Sequence, residues 1–352
     1  PLAAALAMAQ RIGGVSGQDF MTAFQAGFEV ECKIAEWMQP DVYKRGFHAS
    51  AAVGTIAAAI TAAKLLRLDA RTLRNVIGIA ASNSAAGIRA NVGTMTKPLH
   101  FGKAAENGIM AALLGARGLE ANESALDGNF GFASVFSGGV FEEKLAQGFG
   151  QVFSIADPGV SVKPFPSGIL SHQSMDAMLA LFNEHDIKPD QAEAVTFYAG
   201  SNILKPLSYA HANDHMEAKF CMPALLAMCI SRRRAGQHEF DDAFIQSEAM
   251  QSLQNKIKTE IDPEIESKGF DKIRSRIKLS MTDGKTLETW ADERYRGSPD
   301  NPMTDTEMEQ KFLICTEGIL SEKRQRVLLD AIWTIDRDNT TDAGELSRLM
   351  QP

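Results

Sequence analysis

The sequence predicts a mostly α-helical protein, built from a discontinuous, all-helical large domain and a smaller α+β domain. In the first third of the chain, small and apolar residues recur at helical spacing. The proline-dense stretch 157–169 resists both helix and central strand, which indicates a crossing between domains. After it, alternation at 277–290 predicts strands, and helical spacing returns in the C-terminal tail. We therefore predict domains at 1–156 with 304–352 and at 157–303.

The first domain is predicted to be a set of packed helices. The run 49–66 has no proline and carries small or apolar side chains on nearly every face, so it should be buried and closely approached by its neighbours. His48 stands directly before it. The helices predicted for this part of the chain span residues 2–12, 18–38, 49–66, 70–82 and 102–117.

Two other segments of this domain are predicted to be loops. In the polar run 91–98, Pro98 biases Lys97 away from helical geometry, so we expect a loop to display Lys97 beside a helix start. Segment 126–139 is rich in glycine and phenylalanine, which is typical of a loop over a pocket or against another subunit. It contains neither GxGxxG nor GxxxxGK[ST], so it does not indicate a nucleotide site.

The second domain is predicted to combine helices with a few strands. Asp283-Gly284 separates two runs of alternating residues, which predicts a β-hairpin. The tail from Thr304 to Leu349 is expected to rejoin the N-terminal helices. The remaining predictions are helices at 171–184 and 217–232 and a strand at 194–198.

Composition limits the partners and the compartment of the protein. The 352 residues carry a formal charge of -8, which argues against a nucleic-acid surface, since that would need a basic stripe. No apolar run reaches the roughly 18 residues of a membrane span. The four cysteines are scattered and form no CxxC pair, so we expect no disulfide, no zinc site and a cytoplasmic location.

His48 and Lys97 are the first candidates for chemistry. Both are placed near the starts of predicted buried helices, where unpaired N–H groups and the helix dipole favour an anion. Imidazole titrates near neutrality, so His48 is suited to act as acid or base. The ammonium of Lys97 is suited to hold a carboxylate. The alternatives are a histidine that only caps its helix and a lysine that is only solvated.

Several motifs stand in order along the chain: Arg45-Gly46-Phe47-His48, Thr96-Lys97-Pro98-Leu99-His100, Gly102-Lys103-Ala104-Ala105, Lys163-Pro164-Phe165-Pro166-Ser167-Gly168 and His172. Together they resemble the MmgE/PrpD family. The resemblance covers essentially the whole sequence and implies a dimeric, two-domain protein that needs no metal or other cofactor. The family includes dehydratases, decarboxylases and epimerases of small carboxylic acids.

The resemblance implies reactions at a carbon next to a carboxylate, which need a proton donor or acceptor and cations that hold carboxylates. It implies that His48 and Lys97 are catalytic. The other residues that we predict to bind substrate are Lys163, His172, Ser167 and His100.

The chain also departs from the family pattern. Ser167-Gly168-Ile169 stands where many relatives have Cys-Cys-Arg, so an arginine for a further carboxylate is lacking, and Ala224 replaces a tyrosine. The family's Asp, Thr and His of an N-terminal segment have no counterpart here, and we expect that a segment precedes Pro1. These departures argue against dehydration of methylcitrate itself.

Three functions therefore stay open at this point. The first is a cofactor-free lyase that removes water or carbon dioxide from a small di- or tricarboxylate. The second is an epimerase or isomerase of a dicarboxylate in the same pocket. The third is a non-catalytic helical dimer that binds an anion or a protein partner. The lyase is our leading hypothesis, with a homodimer as the expected assembly.

Overall fold

A computed structural model of the protein describes residues 1–91, 94–138, 148–269, 272–337 and 342–351. The chain separates into two compact units. The first comprises Pro1–Gly159 and Thr316–Pro352, and the second comprises Val160–Cys315. Each has its own hydrophobic core.

The two units contain helices α1 to α17 in chain order among the described residues. They are α1 (Leu2–Ile12), α2 (Gly17–Met38), α3 (Asp41–Lys44), α4 (Ala49–Leu65), α5 (Ala70–Ser82), α6 (Thr96–Ala116), α7 (Phe132–Ser137), α8 (His172–Glu184), α9 (Ser201–Leu204), α10 (His215–Ala218), α11 (Met222–Arg232), α12 (Asp242–Ile245), α13 (Glu248–Asn255), α14 (Pro263–Ser267), α15 (Asp305–Thr316), α16 (Glu322–Thr334) and α17 (Glu345–Leu349).

The predicted domain limits, 1–156 with 304–352 and 157–303, stay a prediction. By its contacts, most of α15 groups with Val160–Cys315, while α16 and α17 group with the N-terminal helices. Among the described residues, no helix combines the length and the apolar character that crossing a bilayer requires.

Helix α4 is the centre of the first unit. Every residue from Ala51 to Ala63 is buried, which confirms the prediction for this helix. Helices α1, α2, α5 and α6 pack against it. A Cβ at Gly108 of α6 would lie 2.6 Å from Ala58 Cβ, so glycine permits this close crossing. The crossing fixes α4 and α6, whose N-terminal ends carry the candidate residues.

Helix α6 begins earlier than the sequence predicted, and the placement of Lys97 on a loop was wrong. The helix starts at Thr96, and the Lys97 amide donates to Thr94 O at 3.1 Å. Pro98 is tolerated because the first-turn N–H groups have no acceptor within the helix. This position outweighs the bias that a proline exerts on the residue before it. Lys97 therefore lies in the first turn of α6.

The second unit contains a four-stranded mixed sheet with the order β2-β1-β3-β4. Strand β1 pairs in parallel with β2 and antiparallel with β3, and β3 pairs antiparallel with β4. The β3–β4 pair confirms the predicted hairpin, with Gly284 in its turn at φ +86°. The strands are β1 (Ala192–Ala199), β2 (Ile257–Ile261), β3 (Ser275–Met281) and β4 (Thr286–Trp290).

Helices α8 and α11 supply much of the core beside this sheet. All residues from Met222 to Ile230 of α11 are buried. From α8, Met175, Met178 and Phe182 belong to the same cluster as the sheet residue Phe197. Removal of such a fully buried side chain costs about 2–5 kcal/mol. The helix that carries His172 is therefore anchored by its apolar face.

Two further predictions about segments need correction. The helix predicted at 217–232 is two helices, α10 and α11, because Pro223 fits only the first turn of a helix. Segment 126–139 is not loop throughout, since its residues from Phe132 to Ser137 form α7. Residue 139 of that segment lies outside the described residues.

Candidate functional site

His48 and His100 form a direct imidazole pair in the first unit. His48 is the residue before α4, and His100 lies in the second turn of α6. Their Nδ1 atoms are 3.0 Å apart, so one ring donates and the other accepts. Phe101 packs edge-on against the His48 ring at 5.1 Å between centroids. The crossing of two helices therefore fixes a histidine that is half-buried and oriented by a second, buried histidine.

The charge state of His48 follows from its surroundings. Burial lowers the pKa of His48 below 6.5, and the charges of His100 and Lys97 lower it further. At neutral pH the ring is therefore uncharged. If His48 Nδ1–H donates to His100, the lone pair on His48 Nε2 is available to accept a proton. In the opposite tautomer, His48 Nε2–H can donate.

Gly87 holds the backbone close to both rings. Its carbonyl accepts a hydrogen bond from His48 N at 3.1 Å. Its φ of +66° belongs to the left-handed region, and a Cβ there would lie 2.9 Å from His100 Nδ1. Any side chain at Gly87 would press on the imidazole pair. Gly87 was not among the predicted site residues, because it is distant in sequence from His48 and His100 and meets them only in the fold.

Lys97 stands in the same neighbourhood, on the first turn of α6. The residue is half-buried. Its positive charge is close enough to His48 to lower the pKa of that ring. The structure thus brings three of the predicted site residues together in the first unit: His48, Lys97 and His100.

The other three predicted residues cluster in the second unit. Lys163 Nζ donates to Ser167 O at 3.1 Å. Ser171 Oγ donates to Gly168 O at 2.8 Å, so the 3.0 Å contact between the Ser167 and Ser171 hydroxyls takes its proton from Ser167. Ser167 and Ser171 are both buried. The two hydroxyls therefore stabilise the turn that leads into α8.

His172 begins α8 and is fully buried. Burial first, and then the charge of Lys163, lower the pKa of His172 to about 4, while the nearby main chain of Ser167 opposes this change. Neither ring nitrogen makes a hydrogen bond of ordinary geometry within the described part of the chain. A buried polar group without a partner costs about 1–3 kcal/mol, so this imidazole is held in place by its packing.

A cavity of about 420 Å³ lies in the second unit beside this cluster. Phe165 lines it and also packs edge-on against His172, with 5.4 Å between ring centroids. Two further cations, Arg296 and Lys311, line the cavity and act on the pKa of His172. The sequence reasoning missed both, because arginines and lysines in a loop and on a helix carry no pattern that separates lining residues from solvated ones.

The chemistry of both clusters is that of acids, bases and cations. In the ranges that the structure describes, His, Cys, Asp and Glu side chains form no group of three or more that could hold a metal. Each cluster instead combines imidazole with ammonium or guanidinium groups. Such an arrangement can hold carboxylates and move protons.

The chain belongs to the MmgE/PrpD family. The MmgE/PrpD N-terminal domain matches residues 1–144, and the MmgE/PrpD C-terminal domain matches residues 165–337. These matches confirm the family predicted from the sequence and cover most of both compact units.

Similar proteins with known activities are cis-aconitate decarboxylases. The chain is 28% identical to the cis-aconitate decarboxylase of Homo sapiens over an alignment of 360 positions, which covers 100% of this chain and 73% of the relative. It is 26% identical to that of Mus musculus over 343 residues, which is 96% of this chain and 69% of the relative. It is 24% identical to the cis-aconitate decarboxylase of Aspergillus terreus over an alignment of 367 positions, which covers 99% of this chain and 74% of the relative.

Proposed function

We propose that the protein is a cofactor-independent lyase that acts on a small di- or tricarboxylate, with decarboxylation of a tricarboxylate as the favoured reaction. The observation that carries the proposal is the His48–His100 pair, with 3.0 Å between Nδ1 atoms and the ammonium of Lys97 nearby. The named activity of the relatives, removal of a carboxylate from cis-aconitate, supports this choice.

Binding of the substrate changes the charge state of the site. In the free protein, burial and neighbouring cations keep His48 neutral. A bound tricarboxylate brings negative charge to the ring, which favours the imidazolium form and raises the pKa of His48. Lys97 holds one carboxylate as a compact positive charge. The protonated His48 is then a proton donor that exists only when an anion is bound.

The reaction itself needs one bond cleavage and one proton transfer. The bond between the reacting carbon and its carboxylate breaks, carbon dioxide leaves, and the electron pair stays on the carbon. Lys97 stabilises the charge that develops next to the remaining carboxylates. His48 donates its Nε2 proton to the carbon and regains one at Nε2 from water, while its Nδ1–H keeps the hydrogen bond to His100. Neither step requires an oxidant, a metal or an organic cofactor.

The second cluster has a more limited proposed role. We keep Lys163, Ser167 and His172 as proposed substrate-binding residues, with Lys163 the best suited to meet a carboxylate. His172 and Ser167 are buried, so Lys163 is the predicted residue of this cluster that lines the cavity.

The function is tested by turnover of a panel of small di- and tricarboxylic acids in heavy water. We expect carbon dioxide to be released from a tricarboxylate, one solvent deuterium to enter the product, and the His48→Gln variant to lose the reaction. Deuterium exchange without loss of a group would support the epimerase instead. The lyase proposal is overturned if no acid in the panel changes.

We further propose a homodimer and a cytoplasmic location. Phe130 is 86% exposed and has a φ of +64°, which costs a non-glycine residue about 1–2 kcal/mol. Val135 is also exposed, and both residues adjoin a cavity of about 580 Å³ in the first unit. Burial against a second copy would offset that cost. The location is supported by four free cysteines, which suit a reducing compartment.

A further inference from the structure

Arg296 joins three elements of the second unit. Its Nε and Nη2 donate to Asp176 Oδ1 of α8, at 3.2 and 3.0 Å. Its Nη1 donates to Glu307 Oε1 of α15, at 3.1 Å. The guanidinium carbon lies 5.3 Å from the centroid of the Phe165 ring. One side chain therefore ties α8, α15 and the loop that carries Phe165.

Two of these contacts lead directly to His172. Asp176 lies one helical turn after His172 on α8, so the two side chains share a face of the helix. Phe165 meets the His172 ring edge-on, with an interplanar angle of 85°. Because the His172 nitrogens lack hydrogen-bond partners among the described residues, ring packing and the position of α8 are what orient the imidazole.

We propose that Arg296 is a positioning residue for His172, which clamps α8 to α15 and holds the Phe165 ring against the imidazole. This inference rests on the proposed function, because it assumes that His172 takes part in the reaction. Asp176 and Glu307 are the carboxylates of the clamp. Lys163 and Lys311 are the other cations that act on His172, and neither has the planar set of donors with which Arg296 contacts Asp176 and Glu307 at the same time.

If the Arg296 salt bridges only added stability, their loss would leave the titration of His172 unchanged. Exposed and half-exposed ion pairs contribute little, and their loss does not change the state of a distant ring. Arg294 provides the matched control. It lies two residues earlier in the same loop and pairs only locally with Asp292 in the described contacts, at 3.1 Å. Its removal deletes the same charge without touching α8, α15 or Phe165.

The test compares Arg296→Met, Arg296→Lys and Arg294→Met in the full chain. The imidazole of His172 is followed by nitrogen NMR through a pH titration, with circular dichroism as the check on folding. We expect the His172 titration midpoint to rise in Arg296→Met, to rise less in Arg296→Lys, and to be unchanged in Arg294→Met. Turnover of the best acid should fall about 100-fold in Arg296→Met, mainly in kcat, as expected for a misplaced group.

Two further variants keep the proposal testable if Arg296→Met does not fold. Phe165→Leu and Asp176→Asn each weaken one contact of Arg296. When either is combined with Arg296→Lys, the loss of turnover, expressed as a free energy, should be smaller than the sum of the two separate losses. The proposal is overturned if His172 titrates identically in all folded variants. If His172 responds as expected but the wild-type protein turns over no acid, the positioning role stands and the proposed function fails.

Discussion

The buried His172 makes a specific prediction about stability in acid. The pKa of its ring is lowered from 6.5 to about 4 on folding. As the pH falls below 6.5, His172 therefore binds a proton in the unfolded chain but stays neutral in the folded chain. The free energy of unfolding decreases as a result. Each pKa unit is worth about 1.4 kcal/mol, so about 2.5 kcal/mol is lost between pH 7.5 and pH 4.5.

The perturbation is His172→Leu, which removes the titrating ring without breaking a hydrogen bond within the described residues. The variant should lack this acid-dependent loss. Its stability should therefore fall by about 2.5 kcal/mol less than that of the wild type over the same pH range. Carboxylates that titrate near pH 4.5 are present in both proteins, so their contributions to the free energy of unfolding cancel in the comparison. His185, exposed at the end of α8, supplies the control His185→Gln.

The assay is urea unfolding followed by the fluorescence of Trp290, which lies in the second unit. The chain has three tryptophans, so Trp37 and Trp333 are replaced by phenylalanine in every protein compared. His185→Gln should follow the wild type at both pH values. Equal pH dependence of wild type and His172→Leu would refute the reasoning, since it would mean that the ring is solvated or already protonated in the fold.

Three further outcomes are expected. Gly87→Ala should raise KM and lower kcat, because its Cβ would meet His100 and its left-handed backbone costs about 1–2 kcal/mol; steady-state kinetics and thermal unfolding check this. Binding of an unreactive saturated tricarboxylate near pH 7 should take up a proton, and the uptake should vanish in His48→Gln; calorimetry in buffers of different ionisation enthalpy measures it. Phe130→Ser should weaken dimerisation, as measured by sedimentation equilibrium, with unaltered helix content by circular dichroism.

Much of the helical fold could be predicted because its signals are local. The run 49–66 has small residues on all faces, and the structure buries the corresponding helix throughout. The hairpin was predictable from alternation around Asp283-Gly284. Strand β2 was not identified, because four of its five residues are exposed and it carries little apolar pattern. Its pairing with β1 is a tertiary contact between segments far apart in sequence.

The candidate site was predictable in its residue types but not in its geometry. Motifs singled out His48, Lys97 and His100, yet only the crossing of α4 and α6 produces the direct contact between the two rings. Nothing in the sequence indicated that His172 is fully buried. Arg296 acts through contacts to α8 and α15, and such contacts follow from packing rather than from a local pattern.

The central claim is that Lys97 stabilises negative charge while His48 moves the proton, and one pair of variants tests it most directly. Lys97→Met is compared with Lys103→Met, which removes an exposed lysine of the same helix that pairs with Glu106. We expect kcat/KM for the preferred tricarboxylate to fall roughly 30- to 1,000-fold in Lys97→Met alone, which corresponds to a loss of about 2–4 kcal/mol of transition-state stabilisation. Equal kcat/KM for both variants and the wild type would contradict it.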